Sequence, residues 1–297
     1  MRNTKTSITE PAENIVCILA PNPSPMTFKG TNTYIIDNGE LAIIDPGPLN
    51  EEHFNNILEI TAGGTVKYIF LTHSHVDHSP LAKQLSLELN TPIYGYGASD
   101  TGLSSTMLSL LDSGYHSGSE GIDYEFNPDY LIKNDEKFYL NNKTIFAIHT
   151  PGHMGNHVCF QYGKVLFSGD HVMDWATSMV SPPYGDLTQF MASCRLLQTK
   201  EFEIFLPGHG DPVTNPSERL DFIINHRLER ERQIKETIKN TPLTSLEITE
   251  IVYTDIDKSL IPAATRNVFA HLIDLNERGL VGFLGKISEK SKARLRN

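Results

Sequence analysis

Four short apolar runs, widely separated in the chain, each lead into histidine and aspartate. Val66–Thr72 (VKYIFLT) runs into His73-Ser74-His75-Val76-Asp77-His78, and Thr144–Ile148 leads through His149-Thr150-Pro151-Gly152 to His153. Val165–Phe167 ends at Ser168-Gly169-Asp170-His171, and Ile204–Leu206 at Pro207-Gly208-His209. Nearly continuous apolar runs of this length predict buried strands. Loops at one end of a sheet are where layered α/β proteins gather functional groups from distant sequence. The repeated ending therefore predicts one site built along a sheet edge. A glycine stands directly before His153, Asp170 and His209, which fits a sharp turn as the chain leaves each strand.

Imidazole nitrogen and carboxylate oxygen are the donor types that suit Zn²⁺ and other divalent first-row ions. Seven candidates converge by this argument: His73, His75, Asp77, His78, His153, Asp170 and His209. One catalytic zinc takes about three protein ligands and keeps a position for water. Seven ligands suit two ions roughly 3.5–4 Å apart, with one carboxylate between them. A lone histidine is more often structural than a ligand, and His53, His116 and His271 are read in that way. His149 and His171 flank ligands and read as packed or hydrogen-bonded neighbours. His157, four residues beyond His153, is a weaker candidate for a contact behind the ligands or to substrate.

The remaining elements follow from periodicity and punctuation. Thr33–Asp37 and Leu41–Asp45 flank the hairpin dipeptide Asn38-Gly39. Asn50–Thr61, Pro80–Leu89 and Leu187–Gln198 predict helices, and Lys137–Leu140 and Val158–Gln161 predict strands. Residues 97–133, rich in Ser, Gly and Asp, give no assignment. After Asp211-Pro-Val-Thr-Asn-Pro the pattern turns charged and helical from about Ser217 to Lys239. A second helix opens at Thr244, where Thr244 and Glu247 have capping-box spacing. A third spans about Ala264–Glu277, followed by a short strand Leu280–Leu284 and a basic tail, Lys286–Arg296, read as solvated. Helices closed by a hairpin-like end suggest a small winged-helix module. The predicted domains are residues 1–214 and 215–297.

Charge and composition narrow the function classes. Residues 1–215 hold 11 Lys/Arg against 24 Asp/Glu, a net of −13, whereas residues 216–297 carry a net of +2. So acidic a body repels a phosphate backbone unless bound metals or a local basic patch intervene. The longest apolar run, Ile15–Ala20, falls far short of the ~20 residues of a membrane span, and the opening MRNTKTSITEPAEN lacks the apolar stretch of a secretory signal. Three scattered cysteines (Cys17, Cys159, Cys194) make no disulfide framework and read as small packed hydrophobes. A cytoplasmic protein is expected, without a membrane partner.

The ordered set His73-x-His75-x-Asp77-His78, His153, Asp170 and His209 resembles the metallo-β-lactamase-fold hydrolase superfamily. Gly30-Thr-Asn-Thr-Tyr-Ile, Asp45-Pro-Gly, Thr150-Pro-Gly-His153, Phe167-Ser-Gly-Asp170, Pro207-Gly-His209-Gly-Asp-Pro and His226-Arg-Leu-Glu-Arg-Glu are similar to its β-lactamase-like-protein-2 branch. That branch includes a mitochondrial endoribonuclease, fungal polyketide thioesterases and bacterial hydrolases, and carries a C-terminal winged-helix region. The resemblance implies an α+β fold, an αββα four-layer sandwich followed by a mainly helical module. It implies that His73, His75 and His153 hold one metal, that Asp77, His78 and His209 hold the second, and that Asp170 bridges them.

A metal-bound water whose pKa falls to about 7 would supply hydroxide near neutrality, with Asp77 as ligand and positioning base. The leading expectation is a binuclear zinc-dependent hydrolase of a small acyl substrate: an ester, thioester or lactone. It rests on the acidic body and on the bacterial-hydrolase-like Gly169-Asp-His-Val-Met-Asp-Trp stretch. The alternative is a single-stranded RNA endoribonuclease using the same centre, suggested by the family relative and the net-positive C-terminal module. β-Lactamase activity is less expected, because secreted lactamases of this fold typically carry Cys or Ser where Asp170 stands. A winged-helix nucleic-acid-binding regulator would leave the complete ligand set unexplained. Trp175 and Ser181-Pro-Pro-Tyr-Gly either line the substrate entrance or cap the core.

Overall fold

A computed structural model describes residues 7–119 and 121–296; the start of the opening segment read above for a secretory signal, residues 1–6, lies outside them. Seven strands form one sheet in chain order: β1 (Ile8–Ala12), β2 (Ile15–Leu19), β3 (Asn32–Asp37), β4 (Leu41–Ile44), β5 (Val66–Phe70), β6 (Ile93–Gly95) and β7 (Tyr130–Leu131). The first four run antiparallel to their neighbours, and β4 to β7 run parallel. A second sheet, ordered β12-β11-β10-β9-β8, is made of β8 (Lys137–Leu140), β9 (Lys143–His149), β10 (Val158–Tyr162), β11 (Val165–Gly169) and β12 (Ile204–Pro207). Only β11 and β12 are parallel in it.

Side chains alternate across each strand, and the alternation assigns the layers. Tyr34, Ile36, Ile44 and Phe70 of the first sheet meet Phe138, Phe160, Phe167 and Leu206 of the second in a core between the sheets. Ile35, Ile43 and Ile69 face the other way, onto α1 (Glu51–Thr61) and α2 (Leu81–Leu89). On the far side, Cys159, Leu166 and Phe205 pack under α4 (Leu187–Gln198) and the first half of α5 (Pro216–Thr237). The result is the αββα sandwich followed by a mainly helical module. Cys17, Cys159 and Cys194 are buried within these layers, and burial pushes each thiol up to about 12.

The C-terminal region has its own core, in which Ile234 and Ile238 meet Ile248 of α6 (Ser245–Val252) and Val268, Leu272 and Leu275 of α7 (Ile261–Glu277). The capping box at Thr244 and Glu247 forms as its spacing requires. α7 begins three residues before the predicted Ala264 because Pro262 sits in its first turn, where no N–H is needed. The charged side chains of the basic tail, Lys286, Lys290, Lys292, Arg294 and Arg296, are exposed, as the solvated reading has it, while the backbone is ordered. Ala293–Leu295 forms β14, pairs antiparallel with β13 (Val281–Phe283), and buries Ala293. The unassigned stretch 97–133 supplies α3 (Ser105–Asp112), capped by the Ser104 side chain, and the two-residue β7. Strand pairing Asp37↔Leu41 makes the loop of the predicted Asn38-Gly39 hairpin three residues long, and of the two only Gly39 has positive φ. Among the described residues no helix is long and apolar enough to cross a membrane.

Candidate metal centre

The ends of β5, β9, β11 and β12 bring all seven predicted side chains together, in two groups. His73, His75, His153 and Asp170 form one, and Asp77, His78 and His209 the other, with candidate ligand atoms in each group within 4.8 Å of one another. In the first, His75 Nδ1 lies 2.9 Å from His73 Nε2 and 3.1 Å from His153 Nε2. In the second, His209 Nε2 lies 3.1 Å from Asp77 Oδ2 and 3.3 Å from His78 Nε2. Asp170 stands between them: its Oδ2 is 3.4 Å from His209 Nε2 and 3.7 Å from His153 Nε2, and its Oδ1 is 3.5 Å from His78 Nε2. Gly208 permits this crowding, because a Cβ there would lie 2.5 Å from Asp170 Oδ1 and 2.6 Å from His78 Cε1.

The far nitrogens decide which way the lone pairs point. His153 Nδ1 is 2.8 Å from the Met179 carbonyl and His209 Nδ1 is 3.0 Å from the Gly30 carbonyl, so both must donate. His78 Nδ1 donates to Asp45 Oδ2 at 2.9 Å. The Thr72 hydroxyl gives its proton to Asp45 Oδ2 at 2.7 Å, so it accepts from His73 Nδ1 at 2.9 Å. Four imidazoles are thereby set with Nε2 facing inward. When these rings are neutral, their inward nitrogens carry lone pairs that face one another and two carboxylates. Asp170 Oδ1 is buried with no hydrogen-bond partner. Convergent acceptors of this kind repel unless cations lie between them, so the donor set fits divalent ions.

Protonation follows the same field. Burial holds His73 well below its ordinary pKa, reinforced by His78 and His75, and brings His75 down to about 3, reinforced by His153. Burial likewise lowers His153. Burial would also lower His78 and His209, but Asp77 and Asp170 prevail; His78 ends well above its ordinary value and His209 at about 9. The two carboxyls, which burial alone would raise, fall below the usual range because these imidazoles face them. Without metal, protons on His78 and His209 occupy the electrostatic place of a cation.

Several contributors were not assigned from sequence. Asp45, at φ +52° just beyond β4, serves His78, the Thr72 hydroxyl and the Thr72 N–H at once. Its only sequence signal is its place in an Asp-Pro-Gly that ends an apolar strand. Asn32 joins the two sheets beneath His209, donating to the Pro207 and Gly210 carbonyls at 3.0 and 2.9 Å.

The histidines read as neighbours are accounted for. His149 stacks on Tyr96 at 3.7 Å and His171 lies 3.5 Å from Cys194 Sγ. His53 bonds the Thr33 hydroxyl at 2.8 Å, His271 is buried, and His116 is exposed. His157 is fully buried behind His73, its Nδ1 2.9 Å from the Thr150 hydroxyl. A ring so enclosed does not reach a substrate, and that half of its expectation is withdrawn. Trp175 stacks on half-exposed Phe28 at 5.0 Å, beside Gly210 of the His209 loop.

An αββα sandwich with paired His/Asp clusters at the strand ends defines a metal-dependent hydrolase. The chain belongs to the metallo-beta-lactamase superfamily, whose family model matches residues 26–209, and a beta-lactamase associated winged helix domain matches residues 244–290. A beta-lactamase-like protein 2 homolog of Drosophila melanogaster is 29% identical over 287 residues, covering 92% of this chain and 91% of its own length. An atrochrysone carboxyl ACP thioesterase of Aspergillus fumigatus is 28% identical over 237 residues, 76% of this chain and 65% of the relative. The solved structure of a metallo-beta-lactamase family protein from Thermus thermophilus shares the fold, with a TM-score of 0.75 at 21% identity, covering 95% of this chain and 99% of that one.

Two predictions follow from the proton and hydrogen-bond arrangement. Asp45→Asn should weaken zinc binding about 10–100-fold, read by competition with a chelator, because partners behind metal ligands typically carry that much. Zinc binding near pH 7 should release protons, since His78 and His209 start protonated and must give up that proton to ligate. Affinity should therefore rise with pH through about 9, where His209 loses its proton, and go on rising while His78 keeps its own. Calorimetry in buffers of different ionisation enthalpy measures the release; zero net release would contradict it.

Proposed function

We propose that this chain is a binuclear zinc hydrolase of small acyl substrates, esters, thioesters or lactones, and that it works in the cytoplasm. In this reading residues 1–214 are the catalytic unit and residues 215–297 the C-terminal module. His73, His75 and His153 would hold one ion and Asp77, His78 and His209 the other, with Asp170 shared between them. The observation that carries it is the pairing of the two clusters around Asp170. The acyl class is supported by the net −13 charge of residues 1–215, which disfavours a polyanionic substrate, and by the likeness to a protein named as an ACP thioesterase.

When bound, the ions supply a Lewis acid for the substrate oxygen and lower the pKa of a water to about 7. The protein's own groups do the rest. Asp77 is held ionised by His78 and His209, with about a fifth of its side chain exposed. It would therefore accept a hydrogen bond from the attacking water and orient it; held ionised, it aims the water better than it stores the proton. The inward Nε2 atoms of His73, His153 and His209 are fixed before substrate arrives, so little reorganisation is needed during reaction. The stacked Phe28 and Trp175 rings give an apolar flank beside His209 for an acyl chain.

Zinc-loaded protein assayed on thioester, aryl-ester and lactone panels beside a labelled single-stranded RNA decides the class. Acyl turnover that Asp77→Asn lowers about 10²–10⁴-fold, the usual worth of a positioned acid–base group, is expected. RNA cleavage abolished by the same substitution, with no acyl turnover, would replace this reading with the endoribonuclease.

A further inference from the structure

His226-Arg-Leu-Glu-Arg-Glu lies on α5, outside the metal centre, yet one member of it is a fully enclosed cation. Arg227 is 2% exposed, and among the described residues no Asp or Glu forms an ion pair with it. Burial lowers its pKa. A buried charge without a counter-charge is costly and is kept where its hydrogen bonds fix something. Its Nη2 donates to the Thr177 carbonyl at 3.1 Å and to the Ser178 carbonyl, and its Nη1 donates to Asn267 Oδ1 of α7 at 2.7 Å. The guanidinium also lies 5.3 Å from the Phe190 ring centre.

The two carbonyls belong to the loop that leaves Asp170. Arg219, two turns earlier on α5, takes the Met173 and Ala176 carbonyls of the same loop at 2.6 and 2.7 Å. The next carbonyl along, Met179, is the one that receives His153 Nδ1 at 2.8 Å. Arg230, one turn beyond Arg227, instead holds the C-terminal module, through the Val252 carbonyl at 3.0 Å and the Tyr253 ring at 3.8 Å.

We propose that Arg227 is a positioning residue of the metal centre: it pins the Thr177–Ser178 backbone so that the Met179 carbonyl keeps His153 in the tautomer whose Nε2 faces its ion. Because Asn267 anchors the same guanidinium, α7 of the C-terminal module braces a metal ligand of the sandwich. The ion-binding part of the test rests on the proposed two-ion reading; the His153 part does not.

The test compares full-length Arg227→Met, Arg227→Lys and Arg230→Met with the unaltered chain. Stepwise zinc titration against a chelator should show one of two binding steps weakened about 10–100-fold in Arg227→Met, the other unchanged, with Arg227→Lys between. Arg230→Met should melt at lower temperature yet bind zinc as the unaltered chain does. In metal-free protein with ¹⁵N-labelled histidine, the His153 Nδ1–H signal should exchange faster in Arg227→Met and be unaltered in Arg230→Met. Equal weakening of both steps, the same loss in Arg230→Met, or an unchanged His153 signal would overturn the proposal. If Arg227→Met does not fold, Arg227→Lys carries the same readouts. If the unaltered chain takes up no zinc, the proposed function fails, and the His153 signal still decides this inference.

Discussion

Hydrogen bonds made by the nitrogens that face away from the centre govern this structure. Met179 and Gly30 offer carbonyls, Asp45 a carboxylate and Thr72 a hydroxyl already committed to Asp45. None of these can donate to the imidazole it meets, so each ring turns its other nitrogen inward. The electrostatics follow from that orientation. Buried carboxylates and imidazoles crowd together, and either protons on His78 and His209 or divalent cations must balance them.

The fold is the means of holding those acceptors still. Gly30 and Met179 are loop residues, but neither loop is loose. The first is tied by Asn32 and Tyr34 to the end of β12, so the two sheets are joined directly beneath His209. The second is gripped by guanidinium groups from α5. Asp45 sits at positive φ immediately after a fully buried strand, where its carboxylate can serve three donors. Precision at the centre thus comes from packed elements on several sides, including the C-terminal module.

The sequence made the centre legible because the ligands cluster just beyond apolar runs, and those runs are nearly continuous because both faces of their strands are buried. What it hid was of two kinds. Backbone carbonyls such as those of Met179 and Gly30 have no side-chain signature at all. Weakly patterned segments were also missed: β1 is an exposed edge strand containing Pro11, α3 has eight residues held by one serine cap, and β14 is three residues whose only buried member is Ala293. His157 has ligand-like spacing, but the burial that removes it from the substrate side is a tertiary fact.

The claim on which the rest depends is that two cations sit together at the joined strand ends. Elemental analysis of zinc-loaded protein combined with X-ray absorption at the zinc edge measures it directly. Two ions per chain in nitrogen- and oxygen-rich environments, with a metal–metal distance of about 3.5–4 Å, are expected. A single ion per chain at saturation, or two with no metal neighbour within that range, would contradict it.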